Sequence, residues 1–157
     1  IFEPYFVILN SLPKSAMAPI FIVWLGNNMK TIIVTAISVA IFGSILNLFT
    51  SFMSTDPDKL KLIRTLHGSQ ADCLTKVILP MNLPTILSIL KVDIGLCLIG
   101  VVIGEFLAAK EGLGYLIIYG SQVFKMDWVM LSIVLLCLIA ALLYGVLNRL
   151  EKHFRNF

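Results

Sequence analysis

An uncharged apolar run from Thr31 to Met53 constrains the fold of this chain more than any other feature. As a helix it rises about 35 Å, enough to cross a hydrocarbon core of about 30 Å. Trp128–Leu147 is a second such run, with Trp128 and Tyr144 placed like an interfacial aromatic belt. Charged residues make up only 13% of the chain, against about 25% in soluble domains. We therefore expect an all-α integral membrane protein with spans at 31–53 and 128–147.

Residues 4–25 are also apolar, but Pro13 and Pro19 interrupt them. Each proline removes a backbone donor and crowds the preceding turn, which is tolerated at membrane depth only where protein or a cavity covers the freed backbone. We interpret 4–25 as a broken membrane helix whose second half is Ser15–Leu25. The two prolines either shape the wall of a substrate path or only set a kink. Because the first residue is Ile1 and not Met, we expect further helices to precede it.

A third complete span is predicted at 84–106, with Pro84 in its first turn. Its uncharged part, Ile94–Gly104, rises only about 16 Å. The crossing must therefore include Lys91, whose ammonium can snorkel toward the near interface. Ionisable groups inside a span are also candidates for a transport pathway, so Lys91 and Asp93 are both pathway candidates, with snorkelling as the alternative for Lys91 alone.

Two features accompany the far end of this span. Gly100 and Gly104 form a GxxxG step, which lets another helix backbone approach closely, either within the chain or in a dimer. Residues 107–127 are predicted to be an extracytoplasmic loop of mixed composition. Glu105 and Glu111 near its start are either gate or contact residues or ordinary loop carboxylates.

A polar segment, predicted as a cytoplasmic loop at 56–82, separates two of the spans. Asp56–Pro80 holds seven of the chain's 21 charged residues. When successive loops alternate between the two sides, eight Lys and Arg fall on the side of 1–14, 54–83 and 148–157, and three on the other. Lys and Arg are enriched in cytoplasmic loops. We therefore place the segment and the tail 148–157 in the cytoplasm of a plasma-membrane protein.

The polar segment has helical periodicity in two parts. Apolar residues recur at spacings of three and four: Leu60, Ile63 and Leu66, then Ala71, Leu74 and Val77 or Ile78. Between the two parts, Gly68 can adopt a backbone angle that other residues resist, Ser69 can cap the second helix, and Pro80 is predicted to stop it. A helix-turn-helix along the membrane surface is either a connector or a docking element for a cytoplasmic partner.

Five stretches in order resemble one known family. Leu66-His-Gly-Ser69 is similar to its Leu-Gly-Ala-Ser, Lys76-Val-Ile-Leu-Pro80 to its Lys-Val-Leu-Leu-Pro, and Leu83-Pro84 to its second Leu-Pro. Asn10–Gly26 and Ile99–Ile117 resemble stretches on either side. The family comprises the permease subunits of bacterial ABC importers of the nitrate/sulfonate/taurine group. The resemblance covers nearly the whole chain as the C-terminal part of a longer subunit.

The resemblance implies a type I ABC importer-like transmembrane helical bundle in which the polar segment is the coupling helix that docks on an ATPase. It implies an ATP-binding subunit, an extracytoplasmic substrate-binding protein and a second permease subunit, either a different chain or a second copy that forms the expected homodimer. Membrane lipid is the remaining expected partner. The resemblance implies small anions as the substrate class, although related members carry other nutrients. The chain has no nucleotide-binding loop of its own, so it is expected to be no enzyme and to need no cofactor. The coupling residues are then Lys61, Arg64, Leu66, His67, Gly68, Ser69, Ala71, Leu74, Lys76, Leu79 and Pro80.

The polar segment departs from the family pattern at two places. Counting back from Leu79-Pro80, the family's glycine falls on His67 and its acidic-Ala-Ala triplet on Lys61-Leu62-Ile63. A basic group thus replaces an acidic one, which puts a particular salt bridge to the ATPase in doubt. Docking itself is less affected, because a groove grips a helix mainly through apolar anchors and shape.

Other functional classes have less support. A membrane enzyme is disfavoured because the only histidines, His67 and His153, lie 86 positions apart and no HExxH or paired-carboxylate pattern occurs. No basic run with interleaved aromatics suggests a nucleic-acid partner. A secondary transporter or channel subunit not driven by ATP is the stronger alternative, although such proteins usually carry internal repeats and none is recognisable in this sequence.

Overall fold

The computed structural model describes residues 3–155, and within them every regular element is helical. The elements in chain order are α1 Glu3–Ser11, α2 Lys14–Leu25, α3 Met29–Met53, α4 Pro57–Thr65, α5 Gln70–Cys73, a π-helical turn at Leu74–Ile78, α6 Leu79–Ala108, α7 Leu113–Gln122 and α8 Met126–Arg155. Three helices, Met29–Met53, Gln70–Ala108 and Met126–Arg149, are long and apolar enough to cross a membrane. The predicted all-α membrane fold is confirmed.

The core of the molecule is the contact between α3 and α6. A Cβ at Gly100 would lie 2.5 Å from the Cα of Ala36, and one at Gly104 would lie 3.0 Å from the Cα of Ile32. Ala36 and Ile32 are buried. The GxxxG step therefore brings α6 onto α3 inside the chain, and both glycines are used in this intrachain contact.

α1 and α2 meet at an 86° bend and together form a fourth candidate span. The break lies at Pro13, which directly precedes α2. The carbonyls that end α1 lack helical donors, and Lys14 supplies one: its Nζ donates to the Leu9 oxygen at 2.5 Å and to the Asn10 oxygen at 3.2 Å. Pro19 was expected to interrupt the same stretch, but it lies inside α2 without ending it.

The prediction that Pro80 stops a helix and that Pro84 begins the next is wrong. The helix from Gln70 to Ala108 is continuous over 39 residues. The reason is the π-helical turn, in which the Leu79 N–H bonds to the Leu74 oxygen. The wider turn changes the register just before Pro80, so the ring avoids the carbonyl that it would otherwise meet one turn back. Half of the predicted loop is therefore an extension of the third span.

Two other predicted segments contain helix. Residues 107–127, predicted as an extracytoplasmic loop, contain α7, and α8 continues into the predicted tail as far as Arg155. The two glycines of α7 weaken its helical signal, yet both are buried and make close contacts. A Cβ at Gly114 would lie 2.9 Å from the Cβ of Glu105, and one at Gly120 would lie 3.1 Å from Val129.

Candidate coupling site

Local contacts stabilise α4, and its residues are not buried against the rest of the described chain. The Asp56 side chain accepts the Asp58 N–H at 2.9 Å and Pro57 occupies the first turn, a favoured helix start. Lys61 pairs with Asp58 at 2.9 Å, with both side chains largely exposed. None of the nine residues of α4, all described by the structure, is buried. α4 therefore presents most of its surface to whatever lies beside it.

The turn after α4 is a Schellman motif. His67 has φ +59° and is the residue in the left-handed region, while the Gly68 N–H bonds to the Ile63 oxygen at 2.9 Å and the His67 N–H to the Arg64 oxygen at 3.0 Å. The expectation that Gly68 supplies the unusual backbone angle is wrong. Gly68 is needed for space, because a Cβ there would lie 2.5 Å from Ile63 Cγ2. The left-handed position is the one onto which the family's glycine falls.

α5 begins with the predicted Ser69 cap, which is confirmed as a full capping box. Ser69 Oγ accepts the Asp72 N–H at 3.2 Å, and Asp72 Oδ2 accepts the Ser69 N–H at 2.9 Å. Asp72 also pairs with Lys76 at 2.7 Å. It lies in the polar segment, before the apolar part of the long helix, and the hydrogen bonds from Lys76 and Ser69 hold the pKa of its carboxyl well below the usual range.

The predicted coupling residues are brought together on one exposed unit. An open hollow of about 440 Å³ is lined by Ile63, Leu66, His67, Gly68, Asp72 and Lys76. Leu66 is 70% exposed, and Leu74 and Leu79 are exposed along the helix that leads away from the hollow. Arg64, Ser69, Ala71 and Pro80 are also exposed. Lys61 stands apart from the hollow, on the Asp58 side of α4.

Sequence reasoning missed a buried polar cluster beside this unit. Asn82, which is 7% exposed, accepts a hydrogen bond from Ser51 Oγ at 2.5 Å and donates to Thr55 Oγ1 at 3.0 Å and to the Ile78 oxygen at 2.8 Å. The signal for it in the sequence is an asparagine between two prolines in an otherwise apolar stretch, Pro80-Met-Asn-Leu-Pro84. Such an amide is buried only where hydrogen bonds satisfy it.

Comparison with known proteins gives the family. A model described as "Binding-protein-dependent transport system inner membrane component" matches residues 1–156. The chain belongs to this family. A probable ABC transporter permease protein of Haemophilus influenzae is 30% identical over 96% of this chain and 62% of its own length.

Two further relatives have more specific names. The putative aliphatic sulfonates transport permease protein of Bacillus subtilis is 27% identical over 96% of this chain and 54% of its own length. The taurine transport system permease protein of Escherichia coli is 28% identical over 97% of this chain and 55% of its own length. The chain thus spans between 54% and 62% of the length of these relatives. The sequence-level resemblance to this group is confirmed.

In this inner membrane component, the structure does not gather the residues predicted for a substrate path. Lys91 forms an ion pair with Glu151, donates to Asn148 Oδ1 at 3.2 Å and lies over the Tyr144 ring, so it faces α8. Asp93 accepts the Ser44 hydroxyl at 2.6 Å and so faces α3. Two residues apart on one helix, the pair connects α6 to two different neighbours.

The remaining path candidates also have structural roles. Glu105 Oε2 accepts the Gly114 N–H at 2.6 Å, and a Cβ at Gly112 would lie 2.5 Å from the Glu105 carboxyl carbon. The carboxylate therefore sits at the amino end of α7, where helix N–H groups are unsatisfied and negative charge is favoured. Pro13 lies between α1 and α2, and Pro19 is on the exposed side of α2.

Proposed function

We propose that the chain is the transmembrane permease subunit of an ABC importer and that its polar segment couples ATP hydrolysis by a partner subunit to the substrate path. The observation that carries this proposal is the continuity of the helix Gln70–Ala108. At 39 residues it is about 58 Å long, nearly twice the hydrocarbon thickness of about 30 Å. We infer that its polar end projects beyond the membrane while its apolar end crosses it, so one continuous helix, widened by the π-helical turn at Leu74–Ile78, joins the two compartments.

The surface of the projecting unit suits a helix-in-groove contact. Leu66, Leu74 and Leu79 are exposed apolar anchors, and Arg64 and Lys76 supply charge at the rim. The capping box and the Schellman turn fix the angle between α4 and α5, so little ordering cost remains for binding. Lys61, at the family's acidic position, is engaged with Asp58 inside α4, and we propose that the docking contact does not depend on a charge there.

The assembly that this function needs contains an ATP-binding subunit, an extracytoplasmic substrate-binding protein and a second copy of this permease. In the orientation given by the Lys and Arg count, residues 54–83 and the end of α8 face the cytoplasm and α7 lies on the opposite side. ATP-driven closure of the partner subunits moves the two coupling units together. The helix bundle then alternates between two packed arrangements.

The proposed substrate class is a small organic anion such as a sulfonate. Two relatives at 27% and 28% identity are named for aliphatic sulfonates and for taurine. The matching experiment reconstitutes the full-length permease with its ATP-binding subunit and binding protein in proteoliposomes. Uptake of labelled taurine and ethanesulfonate is then measured with and without internal ATP. ATP-dependent uptake supports the function, and uptake that proceeds equally well without ATP contradicts it.

A matched pair of variants tests the docking surface itself. Ala71 is exposed on α5, so Ala71→Trp adds bulk at the proposed contact without disturbing the chain's own packing. Ala141 is exposed on α8 and serves as the control through Ala141→Trp. We expect Ala71→Trp to reduce the amount of ATP-binding subunit that copurifies and to lower ATP-driven uptake, while Ala141→Trp leaves both unchanged. Equal behaviour of the two variants argues against this docking surface.

A further inference from the structure

The buried cluster of Ser51, Thr55 and Asn82, here called the clasp, joins three parts of the chain. Ser51 lies in the last turns of α3, Thr55 lies between α3 and α4, and Asn82 lies in the first turns of α6. The Asn82 amide uses its oxygen for Ser51 and its nitrogen for Thr55 and for the Ile78 carbonyl in the π-helical turn. Thr55 and Asn82 are 8% and 7% exposed.

The position of the clasp decides what it can do. The polar segment begins just after Thr55 and ends at Asn82, so the clasp holds the two ends of the segment together. Between these ends α4 buries none of its described residues. α5 buries only Cys73 among its residues. Force applied to α4 therefore has few routes into the rest of the chain other than the ends of the segment and α5. The π-helical turn at Leu74–Ile78 directly precedes one of these ends.

The chemistry of the clasp also differs from the packing farther along the same pair of helices. At Gly100 and Gly104 the backbones of α6 and α3 are in direct contact, and such contact resists change in register. Asn82 lies 26 residues before Ala108, about 39 Å along the helix, a distance greater than the thickness of a hydrocarbon core of about 30 Å. There an amide held by directed hydrogen bonds fixes one arrangement of α3, α4 and α6, whereas an apolar residue of the same size would pack without fixing it.

We propose that Asn82 is a positioning residue for energy coupling, and that the clasp passes movement of the docked α4–α5 unit into α6. This inference rests on the proposed function, because it presupposes an ATP-binding partner that moves α4. In this account Asn82 contacts neither nucleotide nor substrate. It keeps the coupling segment and the membrane helix moving as one body.

The test measures movement of α4 and movement of the far end of α6 separately. In the complete transporter, with Cys73, Cys97 and Cys137 replaced by serine, one spin label is attached at Lys59→Cys on exposed α4. In a second preparation it is attached at Leu107→Cys, which is 46% exposed at the far end of α6. Pulsed EPR measures the distance between the two permease copies without nucleotide and with ATP trapped by vanadate. In the parent protein both distances should change on trapping.

Asn82→Leu removes every hydrogen bond of the clasp while keeping the number and branching of the side-chain heavy atoms. We expect the change at Lys59 to persist and the change at Leu107 to be lost. Asn47→Leu is the matched control, because Asn47 is an exposed asparagine on α3, one turn before Ser51, that is not part of the clasp, and it should leave both changes intact. Ser51→Ala removes a single hydrogen bond with little risk to folding, and we expect a reduced change at Leu107.

Three outcomes separate this proposal from the proposed function. A change at Leu107 in Asn82→Leu as large as in the parent overturns the proposal. So does loss of both changes in Asn82→Leu or Ser51→Ala, because the clasp would then serve docking and not transmission. If the parent itself shows no change at Lys59, the coupling role of α4 and α5 fails, and the clasp proposal fails with it.

Discussion

The two ends of α6 are attached to the rest of the chain in different ways. Toward Ala108, glycines let α6 touch the backbone of α3, and the Glu105 carboxylate lies against the start of α7. Toward Leu79, attachment is by side-chain hydrogen bonds at Asn82, with a π-helical turn and the exposed α4–α5 unit beyond it. Close backbone packing leaves few alternative arrangements, whereas the connection at Asn82 depends on a few directed hydrogen bonds. We therefore expect substitutions at the two ends to fail in different ways, one in assembly and the other in coupling.

The largest effect is expected at Gly100. In Gly100→Leu the new Cβ would lie 2.5 Å from the Cα of Ala36, and since that atom is backbone, the helices must separate. Overpacking of this kind costs about 1–3 kcal/mol or more. We expect most of the purified permease to lose its sharp thermal unfolding transition. Gly95→Leu is the control, because a Cβ there would meet no other described atom within 4 Å. Equal loss in both variants contradicts the packing assignment.

A smaller effect is expected at the link between α6 and α8. Lys91 and Glu151 are only 15% and 20% exposed, so each depends on the other for a counter-charge. Lys91→Met should destabilise the protein, and Lys91→Met/Glu151→Gln should recover part of the loss. In a double-mutant cycle the coupling free energy should be about 1–2 kcal/mol. An additive cycle shows that the pair contributes nothing. Loss of uptake in a fully stable double variant would indicate that Lys91 belongs to the substrate path after all.

A comparable but more local effect is expected at the cap of α7. Glu105→Ala removes the acceptor of the Gly114 N–H, and losing a helix cap typically costs about 1 kcal/mol. Hydrogen–deuterium exchange should become faster in α7 while α3 stays protected. Glu111 is exposed in the same connection, so Glu111→Ala should leave the exchange of α7 unchanged. Identical exchange in the two variants would mean that Glu105 is not a cap.

The smallest effect is expected at His67. Its φ of +59° is one that glycine adopts without strain, so His67→Gly should stabilise the turn after α4 by about 0.5–1 kcal/mol. Slower hydrogen exchange at the Gly68 amide would report it. Leu66→Gly is the contrasting change, because Leu66 has φ −83° and glycine there should only loosen the helix end. A faster-exchanging turn in His67→Gly would contradict the strain assigned to His67.

Much of the fold was readable from the sequence because the apolar runs are long and their physical requirement is simple. The span at α3, the break near Pro13 and the Ser69 cap each follow from a short local rule. The errors arose where two local rules compete. Proline usually ends a helix, yet the π-helical turn before Pro80 carries the helix through. Glycine usually weakens a helix, yet Gly114 and Gly120 are the residues that let α7 pack.

Only part of the candidate site could be predicted from the sequence. Helical spacing found α4 and α5, but the left-handed residue between them is His67 and not Gly68 as expected. Asn82 was missed because its partners, Ser51 and Thr55, lie 31 and 27 positions away. The separate directions of Lys91 and Asp93 were predictable from helix geometry, but the partners that they reach across the bundle were not.

Site-specific photo-crosslinking tests the central claim most directly. A photo-reactive amino acid is placed at Leu66 in the coupling turn or at Phe124 in the turn between α7 and α8; these side chains are 70% and 85% exposed. The complete transporter is then irradiated in membranes. The account predicts that Leu66 crosslinks to the ATP-binding subunit and that Phe124 does not. Crosslinking of that subunit at Phe124, or its absence at Leu66, would contradict the assignment of α4 and α5 as the coupling element.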